Sequence, residues 1–366
     1  MTRPFRTFIG VDLGGGKGKT TALTRLRWDP PGPAAPAGSS RMAGEGAAGA
    51  GPGGALIVED CGGNRSRGAG GADGAGGAGG GSGAGGRVGS GPCPLYDERL
   101  VEYLLGHRGE AVVAMDAPLT LTACVRCQLP VCPGLASCEV ETVRWFRARN
   151  AAADQQGKPK YTPYTQRATE VVLHEDHGIM PRETLGQGMG PLTARMAYLR
   201  RALSGAFVLN HNLLEVYPKA TLTQLFPDPE PAGTAPGGRG PAVGAAGRPL
   251  GIGYRDGNGR PIGLDGTARP RLTASQVARH YKRSGHALSI RERVLSELAA
   301  LGGVAELRFG PGQWREFALQ SDHQFDALIC AFTAFLWATK GWQLPAEPVF
   351  REDGWIWFPP RAARTD

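Results

Sequence analysis

The sequence predicts an α/β fold with a mixed five-stranded sheet and flanking helices. Two observations predict this class. Five short runs are rich in Val, Ile, Leu and Thr, which favour strands, and most of them end at glycine, proline or a polar residue. Between and after the later runs lie longer segments whose apolar residues recur at helical spacing. Strands that alternate with helices in this way are typical of α/β domains.

The first three strands are predicted in the runs RTFIGVD (6–12), KTTALTRLRW (19–28) and ALIVED (55–60). The glycines between the first two are similar to a phosphate-binding loop. That loop requires G-x-x-x-x-G-K-[ST], however, and Leu13 stands where its first glycine belongs. Strand-forming residues rather than a helix follow, and they stop at Asp29-Pro30-Pro31. We therefore interpret 6–28 as a hairpin.

The later elements alternate between helix and strand. The pattern predicts a helix over 95–107, a strand ending at Asp116, a helix over 191–204, a strand over 211–218, two helices between Thr273 and Leu301, and a last helix from Ser321 to Gly341. Ser321 with Gln324 three residues later is typical of a capping box. Three strands, helix, strand, helix, strand, helix is the element order of the ribonuclease-H-like fold. There the first strand is central, the next two are antiparallel neighbours, and the later strands lie parallel beside it.

Composition divides this predicted domain into segments. The core comprises the first strands in 1–28 and 55–61, continues in 95–120 and 191–227, and ends with the C-terminal helices of 272–366. Two low-complexity insertions interrupt it, a flexible Gly/Ala/Pro-rich one at 29–54 and 62–94 and a Pro/Gly-rich loop at 228–271. A Cys-rich basic insert is predicted at 121–190. About 250 residues remain for packing, which suits one domain with an inserted subdomain.

The bulk properties suggest a partner and a compartment. A formal net charge of +8 favours a polyanion such as nucleic acid, DNA or RNA, although solubility alone also explains a modest excess. The start MTRPFRTFIG lacks the apolar core of a signal peptide, and the longest apolar run is too short to span a membrane. Seven cysteines, an odd number, are typical of a reducing compartment. We expect a cytoplasmic protein without a membrane partner.

Three acids stand where the predicted fold brings residues together. Asp12 and Asp116 end strands expected to be neighbours, and Asp326 lies on the helix expected to cover them. Carboxylates from separate elements can hold two Mg²⁺ or Mn²⁺ ions for phosphodiester hydrolysis. We expect Asp12 to bridge the ions and the other two acids each to complete one ion's shell. Further candidates are Glu215 as a fourth acid, and His323 or Asp322 as a ligand or proton shuttle.

Each of these residues also has a structural interpretation. An Asp after a strand is often a turn former, and Asp322 suits the first turn of a helix. His323 is equally consistent with a solvated surface residue. Glu215 is equally consistent with a buried carboxylate paired with an arginine. The placement of three acids together, rather than any one of them, favours a catalytic site.

The blocks GVDLGG, AMDAPLTL, EVYPKATL and HQFDALICAFTAFLWA, followed by DGWIWFP, resemble the DUF-429 family of predicted ribonuclease-H-fold nucleases. The resemblance covers most of the chain outside the low-complexity insertions. It implies the fold and places predicted metal-binding acids at Asp12, Asp116, Glu215 and Asp326. His323-x-x-Asp326 also resembles the last motif of the Holliday-junction resolvase RuvC, in which a His or Asp precedes the final Asp by three residues.

The run CVRCQLPVCPGLASC contains Cys124, Cys127, Cys132 and Cys138. Four thiolates so close in sequence can close a tetrahedral site for a structural Zn²⁺, and an iron–sulfur cluster takes the same number of ligands. Paired zinc-finger cysteines are usually spaced more widely. Reduced free thiols or a redox pair are therefore the alternative interpretation.

Six basic residues against one Asp lie between Arg144 and Arg167, interleaved with aromatic residues. Such a pattern suits a nucleic-acid strand, whose phosphates bind cations and whose bases stack on rings. The predicted substrate contacts are Arg144, Tyr164 and Arg167, together with Lys19 near the first strand. The alternative is a structural helix, VETVRWFRAR, which buries Trp145 and Phe146 and leaves its arginines in solvent.

A metal-dependent nuclease is the leading prediction. An actin-like ATPase or sugar kinase is the second, because its phosphate loop also follows a first-strand Asp and glycines. That architecture normally requires two such domains, and the C-terminal half contains no second GVDLGG-like segment. A third hypothesis is a non-catalytic nucleic-acid-binding protein that uses the basic insert and a metal knuckle.

Overall fold

The structure is a computed structural model, and it describes residues 3–15, 21–31, 54–63, 96–152, 160–228, 272–282, 284–311 and 313–360. The fold is α/β, with helices flanking a mixed, mostly parallel seven-stranded sheet. The strands are β1 (Thr7–Asp12), β2 (Ala22–Asp29), β3 (Ala55–Gly63), β4 (Ala111–Asp116), β5 (Leu213–Val216), β6 (Glu306–Phe309) and β7 (Ile356–Trp357). Across the sheet they follow the order β6-β3-β2-β1-β4-β5-β7.

Strand β1 lies in the middle of this sheet. It pairs antiparallel with β2 and parallel with β4, and β2 pairs antiparallel with β3. The pairs β3–β6, β4–β5 and β5–β7 are all parallel. The predicted hairpin of 6–28 is therefore confirmed, since a second strand and not a helix follows the glycine-rich segment. Residues 16–20, which include Lys19, lie outside the described part of the chain.

The predicted number of five strands was too low. All five predicted strands are present, but β6 and β7 extend the sheet at its two edges. Strand β6 has only four residues and alternates between exposed and half-buried, and β7 has two residues. Such short runs carry too little periodicity to be recognised in the sequence. They become strands because β3 and β5 offer free edges to pair with.

Eleven helices are found in the described residues. They are α1 (Asp97–Gly106), α2 (Ala123–Arg126), α3 (Glu141–Ala152), α4 (Ala168–Glu175), α5 (Gly190–Leu203), α6 (Pro218–Leu225), α7 (Ala274–His280), α8 (Ala287–Gly302), α9 (Trp314–Gln320), α10 (Asp322–Lys340) and α11 (Val349–Asp353). The predicted helices correspond to α1, α5, α7, α8 and α10. No described helix is both long and apolar enough to cross a membrane.

The two faces of the sheet are covered by different helices. Phe8, Val112 and Leu214 belong to a cluster that includes the buried side chains of α10, whereas Ile9 and Val113 belong to a second cluster with α1 and α5. Successive side chains of a strand point to opposite faces, so both faces of β1 and β4 are apolar. Helix α10 is buried along nearly its whole length, as its almost continuous apolar sequence requires.

Gly10 sets the distance between β1 and α10. A Cβ atom at this position would lie 1.9 Å from the Ala327 carbonyl oxygen and 2.4 Å from the Ala331 amide nitrogen. The helix backbone therefore rests directly on the strand backbone, which only glycine permits. Since Asp12 lies two residues after Gly10 and Asp326 immediately precedes Ala327, this contact brings the two acids to the same end of the sheet.

The start of α10 is fixed by its cap. The Ser321 hydroxyl accepts a hydrogen bond from the Gln324 amide at 3.3 Å, as the capping-box pattern predicts. The Gln324 side chain does not return the bond to Ser321, and its Nε2 donates to the Gly62 carbonyl at the end of β3. The cap thereby ties α10 to the sheet. Gly341 ends the helix in the left-handed conformation, with φ of 67°.

The predicted insert of 121–190 contains α2, α3 and α4. Its buried side chains, among them Phe146, Tyr161 and Val171, form a separate small cluster with Val349 and Phe350 of α11. Most of the two predicted low-complexity insertions, residues 32–53, 64–95 and 229–271, lies outside the described residues. Strand β3 extends to Gly63, two residues into the segment predicted to be flexible.

Candidate active site

Asp12 and Asp116 lie side by side at the carboxyl ends of β1 and β4. The two strands are parallel, and the two residues are Cα partners in the same register. Register partners in neighbouring strands point to the same face of the sheet, and the strands are about 4.8 Å apart, so the two carboxylates lie close together. That face is the one covered by α10, because Gly10 and Ala114 two residues earlier pack toward the helix.

Asp326 comes to these acids from the first turns of α10. Its residue surface is only 1% exposed, and its Oδ1 atom is buried without a hydrogen-bond partner. Its other oxygen, Oδ2, lies 2.5 Å from the Lys282 ammonium nitrogen. Tyr281 lies close enough to this carboxylate for each group to shift the pKa of the other. Asp12, Asp116 and Asp326 are called the acidic cluster below.

His323 joins the acidic cluster through Asp12. The distance between His323 Nδ1 and Asp12 Oδ2 is 2.6 Å, and 44% of the histidine side chain is exposed. An ionised carboxylate only accepts hydrogen bonds, so Nδ1 carries the proton of this bond and the ring presents Nε2 elsewhere. The hydrogen bond to Asp12 raises the pKa of His323, and burial opposes the rise.

Like charges in a buried setting control the protonation of the cluster. Burial, then the charges of Asp12 and Asp326, raise the pKa of Asp116 well above its ordinary value. Burial also raises the pKa of Asp326 to about 6, although Lys282 opposes the rise. Burial lowers the pKa of Lys282, but the ion pair with Asp326 outweighs this effect, so the ammonium pKa is raised. The positive charge of Lys282 is therefore too small to keep the pKa of both Asp116 and Asp326 at their ordinary values.

The donors of the cluster suit a hard divalent ion, because Mg²⁺ and Mn²⁺ prefer carboxylate oxygens. The buried and unpartnered Oδ1 of Asp326 is the kind of atom that such an ion satisfies. In the observed arrangement, no group of three or more His, Cys, Asp or Glu side chains among the described residues is placed to hold an ion. Lys282 contacts one Asp326 oxygen at 2.5 Å, and His323 contacts one Asp12 oxygen at 2.6 Å.

Glu215 is not brought to the other acids. It is the register partner of Met115, not of Asp116, so it points to the opposite face of the sheet. There it accepts hydrogen bonds from the Leu119 amide at 2.8 Å and from Arg167 Nη1 at 2.7 Å. The prediction of Glu215 as a fourth metal ligand, which the DUF-429 resemblance also implied, does not fit this position. The structural alternative, a buried carboxylate paired with an arginine, describes it.

Arg167 is equally unavailable to substrate. Its side chain is 1% exposed, and both terminal nitrogens bind Glu215. Its Nε donates to Glu170 at 3.0 Å, and Nη1 also donates to the Thr120 hydroxyl at 2.9 Å. The predicted phosphate contact of Arg167 is therefore corrected to a structural role. Its guanidinium neutralises two buried carboxylates, which is the arrangement that a buried charge requires.

Arg144 and Tyr164, the two predicted substrate residues that lie on the insert, make no described contact with the cluster. Arg144 on α3 forms long ion pairs with Glu139 and Glu141, at 4.0 and 3.9 Å. Tyr164 lies in the turn before α4, and half of its surface is exposed. Phe146 of the same helix as Arg144 is buried, as the structural interpretation of VETVRWFRAR proposes. Asp322, in the first turn of α10, is half-buried.

The four clustered cysteines surround α2 and the start of α3. Cys124 lies on α2, Cys127 follows its end, Cys132 is exposed in the loop, and Cys138 is buried. Burial raises the pKa of Cys124, and the nearby thiols of Cys132, Cys138 and Cys127 add to the rise. All six cysteines that the structure describes are free thiols.

Sequence reasoning missed Lys282, which contacts the cluster, and the residues that position it. Tyr281 and Lys282 follow α7, and Arg291 of α8 holds their backbone by donating to the carbonyl oxygens of both. The same Arg291 also donates to the Leu319 carbonyl at 2.6 Å, near the start of α10. A single lysine after a short helix carries no motif, so nothing in the local sequence indicates its contact with an acid 44 residues later.

Comparison with known proteins gave no match. No family model matches the sequence, and neither the search of curated proteins nor that of solved structures found a significant similarity.

Proposed function

We propose that this protein is a metal-dependent nuclease of the ribonuclease-H-like fold that hydrolyses phosphodiester bonds in DNA or RNA. One observation carries the proposal. Asp12, Asp116 and Asp326, which are separated by 104 and 210 residues in sequence, meet at one end of the sheet on β1, β4 and α10. Buried like charges are costly, and carboxylates crowded together without enough counter-ions are candidates for chemistry or cation binding.

The arrangement of the core supports the fold assignment. Strand β1 is central, β2 and β3 follow it as an antiparallel meander, and β4 and β5 lie parallel on its other side. The last long helix, α10, crosses β1, β2 and β4. This order of strands is that of the ribonuclease-H-like fold, and it is consistent with the resemblance of GVDLGG, AMDAPLTL and HQFDALICAFTAFLWA to DUF-429 proteins. Fold alone does not give function, so the proposal rests on the acids.

The residues that would hold Mg²⁺ or Mn²⁺ are Asp12, Asp116 and Asp326. Two such ions, when bound, supply Lewis-acid stabilisation of the charge that develops on a phosphate during displacement. The chain's own contribution is to align the three carboxylates on fixed elements and to keep Asp326 buried. His323 adds a proton-transfer group, since Asp12 orients its ring through Nδ1 and leaves Nε2 to accept or donate a proton.

Two neighbouring arginines on the Glu215 side of the sheet, together with the net charge, support a nucleic-acid substrate. Arg200 of α5 donates to the Leu119 carbonyl, three residues after Asp116, and Arg126 donates to the Leu121 carbonyl. Burial lowers the pKa of Arg200, and the charge of nearby Arg126 lowers it further. Arg126 is already paired with Asp353 at 2.5 Å, and Arg200 adds a second guanidinium close to it, which favours an anion such as a phosphate. The net charge of +8 acts in the same direction over longer distances.

We also propose a structural metal at Cys124, Cys127, Cys132 and Cys138, Zn²⁺ before an iron–sulfur cluster. The thiols are close enough for their charges to interact, and Arg147 fixes the last part of the loop by donating to the carbonyl oxygens of Leu135, Ala136 and Cys138. Binding requires the exposed Cys127 and Cys132 to turn toward the other two.

The nuclease proposal is tested by incubating the full chain with labelled single- and double-stranded DNA and RNA in Mg²⁺, Mn²⁺ or EDTA. We expect cleavage in the divalent ions, none in EDTA, and at least a hundredfold loss in Asp12→Asn with an unchanged circular dichroism spectrum. Asp176→Asn is the matched control, because this carboxylate only pairs with Arg149 on the surface, and it should cleave normally. Salt-sensitive binding without cleavage would instead support the non-catalytic binding protein. ATP turnover lost in Lys19→Ala would support the ATPase.

A further inference from the structure

Lys282 neutralises the acidic cluster from the outside. Its ammonium lies 2.5 Å from Asp326 Oδ2, yet 44% of its side chain is exposed, whereas the Asp326 side chain is 1% exposed. The aliphatic stem therefore runs along the surface and only the charged head reaches the buried carboxylate. Its charge also acts on Asp116 and Asp12. No other described lysine or arginine forms an ion pair with any member of the cluster.

The backbone beneath this lysine is fixed independently of the ion pair with Asp326. Arg291, buried in α8, donates from Nε to the Tyr281 carbonyl at 2.7 Å and from Nη2 to the Lys282 carbonyl at 3.1 Å. The base of the Lys282 side chain is thus fixed. Its four-carbon stem is flexible and 44% of the side chain is exposed, so the ammonium has solvent to move into when it leaves Asp326.

The ammonium occupies an oxygen that a divalent ion would use. Asp326 offers Oδ1, which is buried without a partner, and Oδ2, which Lys282 holds. A carboxylate cannot serve both an ammonium and an ion at full strength on the same atom, and two cations near one another repel.

We propose that Lys282 is an exchangeable counter-ion of the acidic cluster, which occupies Asp326 when no divalent ion is bound and is displaced when one binds. The inference rests on the proposed metal-dependent function. It assigns to this lysine a role in setting the affinity for the ion. Without Lys282 the empty cluster has less positive charge, and the ion no longer competes with a tethered ammonium.

The test is calorimetric titration of Mn²⁺ into the full chain of wild type, Lys282→Met and Lys282→Arg. Methionine keeps the length of the stem and removes the charge, so we expect it to bind Mn²⁺ about tenfold more tightly, or about 1.4 kcal/mol. Lys282→Arg retains the competitor and should bind like wild type. Lys160→Met is the matched control, because it removes a surface ammonium 2.7 Å from Glu175 and should leave the affinity unchanged. An equal or lower affinity in Lys282→Met, or no binding in any variant, overturns the exchange.

A folding measurement covers the case in which the variant is unstable. In EDTA, Lys282→Met should unfold at a lower temperature than wild type because Asp326 loses its counter-ion, and Mn²⁺ should restore the midpoint. Failure to fold with and without Mn²⁺ would mean that the ammonium is an irreplaceable structural partner, which overturns the proposal. The proposed nuclease function is judged separately by cleavage in wild type. Tighter Mn²⁺ binding in Lys282→Met without any wild-type cleavage refutes only the nuclease.

Discussion

Asp12 and Asp116 are register partners at the ends of two adjacent parallel strands, and both carboxylates face the helix that carries Asp326. Parallel strands separate their side chains too little for two ionised acids to avoid one another. The two carboxylates at the carboxyl ends of β1 and β4 therefore repel each other when both are ionised. A divalent cation bound between them would attract both carboxylates and offset this repulsion.

Asp116→Asn should stabilise the metal-free protein while it abolishes cleavage. Burial and two neighbouring acids raise the pKa of Asp116, so replacing it with a neutral isostere relieves repulsion. We expect the free energy of unfolding in EDTA at pH 7 to rise by about 1 kcal/mol. Urea unfolding followed by circular dichroism measures this change. Asp176→Asn should shift it by no more than about 0.5 kcal/mol, and a clear destabilisation by Asp116→Asn would contradict the proposed repulsion.

Asp326 should make the stability of the metal-free protein depend on pH. The pKa of Asp326 in the folded chain is about 6, above the ordinary value of 3.8. The folded state therefore favours the protonated carboxyl, and the stability that this preference gives is fully present below pH 3.8 and is lost as pH rises through about 6. Asp326→Asn does not titrate at this position, so it does not lose this stability as the pH rises. The variant's stability relative to wild type should therefore increase between pH 4 and pH 7, by an amount on the order of 3 kcal/mol.

That comparison requires denaturant titrations of both proteins in EDTA across the pH range. The difference removes the titrating groups that lie far from Asp326, and it includes the effect of Asp326 on the pKa of Asp116 and Lys282. A difference that stays flat from pH 4 to pH 7 would show that Asp326 has an ordinary pKa in the folded chain.

Gly10→Ala should disrupt the contact between β1 and α10. The added methyl group would lie 1.9 and 2.4 Å from backbone atoms of Ala327 and Ala331, and backbone cannot move aside as a flexible side chain can. We expect a loss of about 3 kcal/mol or more, measured by thermal or urea unfolding. Gly106→Ala is the control, because a Cβ there meets nothing within 4 Å and should be neutral or stabilising by up to about 1 kcal/mol. Wild-type stability in Gly10→Ala would show that the helix sits further from the strand.

Arg167→Met should destabilise the fold by about 3–5 kcal/mol, since it leaves Glu215 and Glu170 buried without their counter-ion. Arg149→Met, which removes surface ion pairs, should cost about 1 kcal/mol or less. Unfolding free energies and nucleic-acid affinity are measured on the same preparations. Unchanged stability with lower affinity would instead favour the phosphate contact that the sequence suggested.

The cysteine site should be visible in the metal content of the purified protein. We expect elemental mass spectrometry to find about one zinc per chain, and we expect that zinc to be lost in Cys127→Ser and Cys132→Ser. Cys61→Ser is a suitable control, because Cys61 is a buried thiol near Thr24 of the sheet and is not one of the four grouped cysteines. Visible absorbance with iron would assign a cluster instead. Protein free of both metals would leave the four residues as ordinary thiols.

The sequence was sufficient for the elements that carry their own periodicity. Strands β1 to β5 and helices such as α10 have enough apolar residues at one spacing to be recognised without the fold. The two edge strands β6 and β7 are strands only because neighbours pair with them. Ser321 was a correct cap, but Gln324 binds Gly62 of the sheet, which local sequence does not encode.

The acids of the cluster were predictable as far as the strand order places residues. Glu215 shows where this reasoning ended, because strand order does not tell which face a residue takes. One position of register separates Asp116 from Met115, the partner of Glu215, and puts Glu215 on the far side of the sheet. Arg167 was predicted as a phosphate contact because the local sequence does not show that it pairs with Glu215, 48 residues later. Lys282 was not predictable, since only the packing of α8 against the end of α7 brings it to Asp326.

The bond between His323 and Asp12 joins residues 311 positions apart. A ribosome adds about 5–20 residues per second, so roughly 15–60 seconds pass between the synthesis of the two partners. Until the last long helix emerges, the central strand has no cover on one face and its aspartate has no imidazole beside it. An unfinished chain thus carries Asp12 without its His323 partner, so the proposed site is assembled only when the chain is nearly complete.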